Sequence, residues 1–133
     1  AAGAACVGEG MTVLITGDMS FSYDVNGLSS TYLSPRFKII VMCNGGGGIF
    51  RFIKPTSDLP ELETCFEIHR DISVEKYADL FGLRYFELND EKSAAEVLSL
   101  FFAEEDRPAI LAVHTPNVYN AEVLRGYFRR SRQ

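Results

Sequence analysis

Apolar residues along this chain keep two rhythms, and the rhythms alternate. Residues 12–16 (T-V-L-I-T) and 37–43 (F-K-I-I-V-M-C) are short, unbroken apolar runs rich in β-branched side chains, the pattern of strands buried on both faces of a parallel sheet. Residues 83–88 (L-R-Y-F-E-L) add a short strand and 108–115 (P-A-I-L-A-V-H-T) a last buried one. Between the first two, residues 20–32 place Phe21, Val25 and Leu28 at helical spacing, and Pro35 ends the segment. Residues 73–82 form a marked helix. Ser73 can cap it, Lys76 stands where a capping box would have Glu, Val74, Tyr77, Ala78 and Phe81 make its apolar face, and Gly82 stops it. Residues 89–103 give another, with acids in the first turn and Ala94, Val97, Leu98 and Phe101 inward. Residues 1–10 read as the last turns of a helix ended by Gly8 and Gly10, since they lack the basic start and apolar core of a signal peptide. Strands alternating with helices predict an α/β fold, a doubly wound parallel sheet with right-handed crossovers.

Composition narrows the classes. A chain of 133 residues, 47% hydrophobic and 23% charged, suits one globular domain with a real core. Its net charge of −5 and the lack of a basic stripe argue against nucleic acid or an anionic membrane as partner. The basic tail R-G-Y-F-R-R-S-R-Q reads as the solvated end of a C-terminal helix, where cations suit the dipole. No apolar run approaches the ~20 residues of a membrane span. Three cysteines, Cys6, Cys43 and Cys65, are odd in number and lack metal-ligand spacing, so a reducing cytoplasm is the natural home. Cys43 is read as a small strand-end hydrophobe, His69 as a solvated loop residue, and His114 as a strand-end side chain satisfied by backbone.

Chemistry concentrates after the first two strands, in T-G-D-M-S-F at residues 16–21 and C-N-G-G-G-G-I-F at residues 43–50. In open α/β sheets the ligand crevice lies outside the carboxyl ends of the strands, so both loops should share one site. Asp18 offers a hard carboxylate, Asn44 a neutral oxygen, and the glycines let backbone approach a ligand closely. Mg2+ wants such a set, taking octahedral oxygens at about 2.1 Å with one or two from protein and the rest from phosphate and water. The amides of Met19 and Ser20 add donors for a phosphate. Residue types alone also allow a plainer reading, with Asp18 as helix cap, Asn44 as turn residue and the glycines as slack loop.

Taken together the two loops carry a resemblance. Gly17-Asp18, a gap of about one helix and one strand, and then an Asn-containing glycine loop resemble the diphosphate-binding motif of thiamine diphosphate enzymes. Within them G-D-M-S-F-S-Y-D-V-N-G-L (17–28), N-G-G-G-G-I-F (44–50) and the tail A-V-H-T-P-N-V-Y-N-A-E-V-L (112–124) are similar to the MenD branch, the SEPHCHC synthases of menaquinone biosynthesis. Met19 stands where many members have a second Gly and this branch a larger apolar residue. Cys43 and Gly45 flank Asn44 where further Asn is common.

The resemblance implies thiamine diphosphate held by Gly17, Asp18, Met19, Ser20, Asn44, Gly46, Gly47, Ile49 and Phe50, with Mg2+ (or Mn2+) on Asp18, Asn44 and the Gly46 carbonyl. Ile49 and Phe50 would form an apolar wall near the pyrimidine and substrate. The activating Glu of the superfamily belongs to another domain, and no catalytic residue in this chain matches it. Residues 1–133 would then be a partial C-terminal cofactor-binding domain, truncated at its N-terminus and inactive alone. Its partners would be the remaining domains of a transferase that decarboxylates 2-oxoglutarate and adds the product to isochorismate, a homo-oligomer when full length. Another thiamine diphosphate-dependent 2-oxo acid decarboxylase or carboligase, or a non-catalytic α/β phosphate-ligand module, are the alternatives. Residues 51–71, Pro-interrupted and long for a connection, are expected to form a lid over the cofactor pocket.

Overall fold

The apolar runs pair into one parallel sheet in the order β1-β2-β4-β3, with β1 at Thr12–Gly17, β2 at Phe37–Cys43, β3 at Arg84–Leu88 and β4 at Ala109–His114. This is a computed structural model, and the residues it describes are 1–67, 72–103 and 106–130. Helices α1 (Ala2–Val7), α2 (Asp18–Asp24), α3 (Gly48–Phe52), α4 (Val74–Phe81), α5 (Ala94–Phe102) and α6 (Asn117–Arg130) lie between and after the strands.

Side chains alternate across a strand, so the central strands feed two cores. Phe37, Ile39, Val41, Ile110 and Ala112 face one side and pack with Ala5, Phe21, Leu28, Val74 and Ala78. Ala109 and Leu111 face the other, where Phe101 of α5 is buried against them beside Ile40, Phe86 and Val113. From β1 through β2 to β3 the chain moves across the sheet in one direction, and α2 and α4 share a face. From β3 to β4 it steps back, and α5 lies on the opposite face. A constant crossover hand requires that change of side, which makes the sheet doubly wound as the alternation predicted.

Four expectations need correction. β1 is an edge strand rather than one buried on both faces: Leu14 packs into the first core, but Val13 and Ile15 are 43% and 65% exposed on the side where α5 covers β3 and β4. The helix expected over residues 20–32 is shorter, passing from α2 into a 3-10 stretch at Val25–Ser29. Asn26 and Gly27 are poor α-formers, and the tighter turn still buries Leu28. The helix expected over 89–103 opens as a 3-10 turn, Glu91–Ser93, because Asp90 accepts the Lys92 and Ser93 N–H groups at 2.8 and 3.1 Å before α5 begins. Residues 53–67 are not an irregular loop; they fold into helical turns at Thr56–Asp58 and Leu62–Phe66 and bury Leu62 and Glu67. The end of the expected lid, residues 68–71 with His69, lies outside the described residues.

Other local features match their residues. Ser73 caps α4 by accepting the Lys76 N–H at 3.4 Å, and Gly82 closes it in the left-handed conformation. Arg129 and Arg130 occupy the last turn of α6. Among the described residues no helix is long and apolar enough to cross a membrane, and all three cysteines are free.

Candidate functional site

Strand register decides which loop residues meet. β1 and β2 pair Gly17 with Met42, β2 and β4 pair Cys43 with His114, and the Thr115 N–H continues that ladder to the Cys43 carbonyl at 3.0 Å. Asp18, Asn44 and the residues after Thr115 therefore leave the sheet side by side at its carboxyl edge.

Asp18 is the first residue of α2, with Gly17 in the cap position before it. Only 4% exposed, it accepts three backbone N–H groups, from Met19 at 2.7 Å on Oδ1 and from Asn44 and Gly45 at 3.1 and 2.9 Å on Oδ2. Charge-assisted bonds of this kind are strong, and these tie the first loop to the second. The Asn44 Oδ1 accepts the Gly46 N–H at 3.1 Å in an Asx turn. Gly45, Gly46 and Gly47 then run through φ of 82, 89 and 66°, a left-handed succession that only glycine adopts cheaply. Immediately after it, α3 carries Ile49 and Phe50 on the rim, both exposed, with Phe50 against Phe66 at 5.5 Å between ring centroids. Of the residues singled out in the sequence, Gly17, Asp18, Asn44, Gly46 and Gly47 converge on this edge. Met19 and Ser20 continue from it in the first turn of α2.

Asp18, the Asn44 Oδ1 and the Gly46 carbonyl each keep acceptor capacity beyond the bonds they already make. Among the described residues there is no group of three His, Cys, Asp or Glu that would hold a metal by such side chains alone. A cation here would complete its shell with oxygens of a bound ligand, as Mg2+ commonly does.

Beneath the loop sits a polar group that sequence reasoning missed. Glu67, 2% exposed, accepts from Arg51 through Nε at 2.8 Å and Nη2 at 2.5 Å, and from Asn117 Nδ2 at 3.0 Å. Asn117 Nδ2 also donates to the Gly46 carbonyl at 3.3 Å, and Arg51 reaches Glu63 at 2.9 Å. Hydrogen bonds to Glu67 and then Glu63 push the Arg51 pKa above its ordinary value. The weak available signal was Arg51 directly after the Gly-Ile-Phe step, for its partner lies 16 residues on and the Glu67 contact to Asn117 spans 50. A cleft of about 210 Å3 beside this group is lined by Asn44, Gly48, Ile49, Phe52, Asn117 and Leu124, among others.

The other two candidates resolve differently. His114 pairs with a side chain rather than with backbone: its Nε2 lies 3.0 Å from Glu87 Oε1 on the neighbouring strand. The Cys43 thiol is pushed up to about 11 by burial, with Asp18 and Glu87 adding to it, so it stays protonated and unreactive near neutrality.

Fold and crevice together define a parallel-sheet α/β domain whose site is assembled from the loops after its first two strands. No protein-family model matches the chain. Its relatives are 2-succinyl-5-enolpyruvyl-6-hydroxy-3-cyclohexene-1-carboxylate synthases. That of Porphyromonas gingivalis is 48% identical over 120 residues, 90% of this chain and 21% of the relative. That of Flavobacterium johnsoniae is 42% identical over 126 residues, 94% of this chain and 23% of the relative. That of Christiangramia forsetii is 36% identical over 128 residues, 96% of this chain and 22% of the relative. Over the stretch they share, the chain is similar to these synthases, and it spans about a fifth of their length.

Proposed function

We propose that the chain is the diphosphate- and metal-holding part of a SEPHCHC synthase that uses thiamine diphosphate and Mg2+, with Mn2+ as a substitute. The whole enzyme would decarboxylate 2-oxoglutarate and join the product to isochorismate in menaquinone biosynthesis. The observation that carries this reading is the Asp18 junction, a buried carboxylate bound to the amides of Asn44 and Gly45 at the mouth of a left-handed glycine run. The names of the relatives support the synthase role and give its product, 2-succinyl-5-enolpyruvyl-6-hydroxy-3-cyclohexene-1-carboxylate.

Bound thiamine diphosphate would supply the electron sink for decarboxylation and carbon–carbon bond formation. The residues of this chain bind and orient. Asp18, the Asn44 Oδ1 and the Gly46 carbonyl would share the cation with the diphosphate, and Gly17, Met19, Ser20 and Gly47 would line the diphosphate itself. Ile49 and Phe50, on the rim of the loop, would exclude water from the reacting end. No side chain of this chain is assigned the proton transfer that activates the cofactor, a role left to another domain of a cytoplasmic homo-oligomer.

Calorimetry tests the assignment. Asp18→Ala and Asn44→Ala should abolish Mg2+-dependent thiamine diphosphate binding, because each removes one of few metal ligands. If Asp18→Ala only lowers stability and binds as tightly as the parent, Asp18 is a structural tether and the metal site lies elsewhere.

A further inference from the structure

Asn117 is the side chain through which α6 reaches the glycine loop. Its Nδ2 donates to two acceptors, the Gly46 carbonyl at 3.3 Å and Glu67 Oε1 at 3.0 Å. Glu67 cannot yield easily, since its side chain is fully buried and Arg51 grips both of its oxygens. Gly47 presses on the same spot: a methyl group there would lie 2.6 Å from the Glu67 Cα. The Nδ2 end of the Asn117 amide is thus held by two acceptors, one of them on a side chain that is itself fixed.

The other end of that amide differs. Asn117 Oδ1 is buried and accepts no hydrogen bond, the one such side-chain atom among the described residues. A buried acceptor without a partner is uncommon in folded proteins and calls for an account of its donor. Asn44 is close at hand: a methyl group at Gly48 would lie 2.5 Å from Asn117 Oδ1 and 2.7 Å from Asn44 Nδ2, so the two amide ends flank a single point. Asn44 meanwhile spends its own oxygen on the Gly46 N–H.

We propose that Asn117 is a positioning residue for the glycine loop. Its Nδ2 sets the direction of the Gly46 carbonyl, and its unpaired Oδ1 receives the Asn44 Nδ2 when Asn44 turns its oxygen from Gly46 toward a cation. Rotation of one amide then serves both ends, giving the cation an oxygen and the orphaned acceptor an N–H donor. The Asn44 half rests on the metal reading above, whereas the Gly46 half is a property of the free protein.

The two halves are tested separately in the 133-residue chain. Without ligand, Asn117→Ala should speed amide hydrogen exchange across residues 44–50 about tenfold and leave β2 and β4 unchanged. Leu124→Ala, which loosens the same cleft without touching the loop's hydrogen bonds, should not. Equal exchange in the parent and Asn117→Ala, or the same acceleration in Leu124→Ala, overturns the positioning role. Should Asn117→Ala fail to fold, Asn117→Ser, which keeps one donor, takes its place with a smaller effect of the same sign. With thiamine diphosphate present, Mn2+ binding followed by electron paramagnetic resonance should weaken about tenfold in Asn117→Ala. An unchanged Mn2+ affinity overturns the Asn44 half. If the parent chain binds no Mn2+ at all, the metal reading fails and takes the Asn44 half with it, while the exchange result still decides the Gly46 half.

Discussion

Gly47 and Gly82 have nearly the same backbone, φ of 66 and 68°, and opposite surroundings. A methyl group at Gly82 would meet nothing within 4 Å, whereas at Gly47 it would lie 2.6 Å from the Glu67 Cα and 2.9 Å from the Phe66 carbonyl. Gly82→Ala should therefore cost only the left-handed penalty, about 1 kcal/mol. Gly47→Ala adds a clash with main chain that cannot swing aside, and should cost about 3 kcal/mol in all. Urea denaturation of the two variants measures the difference. Cys43 gives a second prediction at this scale. Its folded pKa is raised from 9.0 to about 11, so the folded state holds the proton more tightly than the unfolded chain. The stability this contributes is complete below pH 9 and lost as pH rises toward 11. Tyr85, raised by burial and then by Glu87, acts in the same direction at higher pH. Cys43→Ala should flatten the decline in stability between pH 9 and 11, and at pH 8 a thiol reagent should modify the exposed Cys6 and Cys65 before Cys43.

Among the elements, α5 stands apart because it covers its face of the sheet with one aromatic plug. Phe101 is fully buried there, edge-on to Phe86 at 5.8 Å and to Phe102 at 4.8 Å, while its neighbour Leu100 is half exposed. Phe101→Ala should cost about 3–5 kcal/mol in denaturant melts, and Leu100→Ala under about 1 kcal/mol. The inward set of α5 was legible in advance because Val97, Leu98 and Phe101 repeat at helical spacing, and Ser73 and Gly82 marked the ends of α4 in the same local way. What escaped was tertiary. Thr12–Gly17 has the composition of an interior strand, and composition carries no information on strand order, so the exposure of Val13 and Ile15 could not be read from it. The same limit divides the site. Asp18 and the glycine loop announce themselves by residue type at strand ends, but Glu67 and Asn117 are ordinary residues whose role exists only through contacts distant in sequence.

For the whole molecule, the proposed role makes the chain an anchor rather than a catalyst. Supplied with thiamine diphosphate, Mg2+, isochorismate and 2-oxoglutarate, the 133-residue chain should release no carbon dioxide above background. Turnover within about tenfold of a full-length synthase, about 1.4 kcal/mol in barrier, would place a complete active site within these residues. The order of strands also bears on how that anchor comes into being. β1 with β2 and β3 with β4 are local pairs, joining Thr12 to Phe37 and Arg84 to Ala109, whereas the central seam joins Lys38 to Ala109. Closing so long a loop is the slow, entropically costly step, so two half-sheets should form early and the seam should zip last. The crevice straddles that seam, with Asp18 and Asn44 on one half and Asn117 on the other. It is completed only by the final event of folding, and a ligand gripping both halves would act as a clasp that slows unfolding and not as a template that hastens assembly.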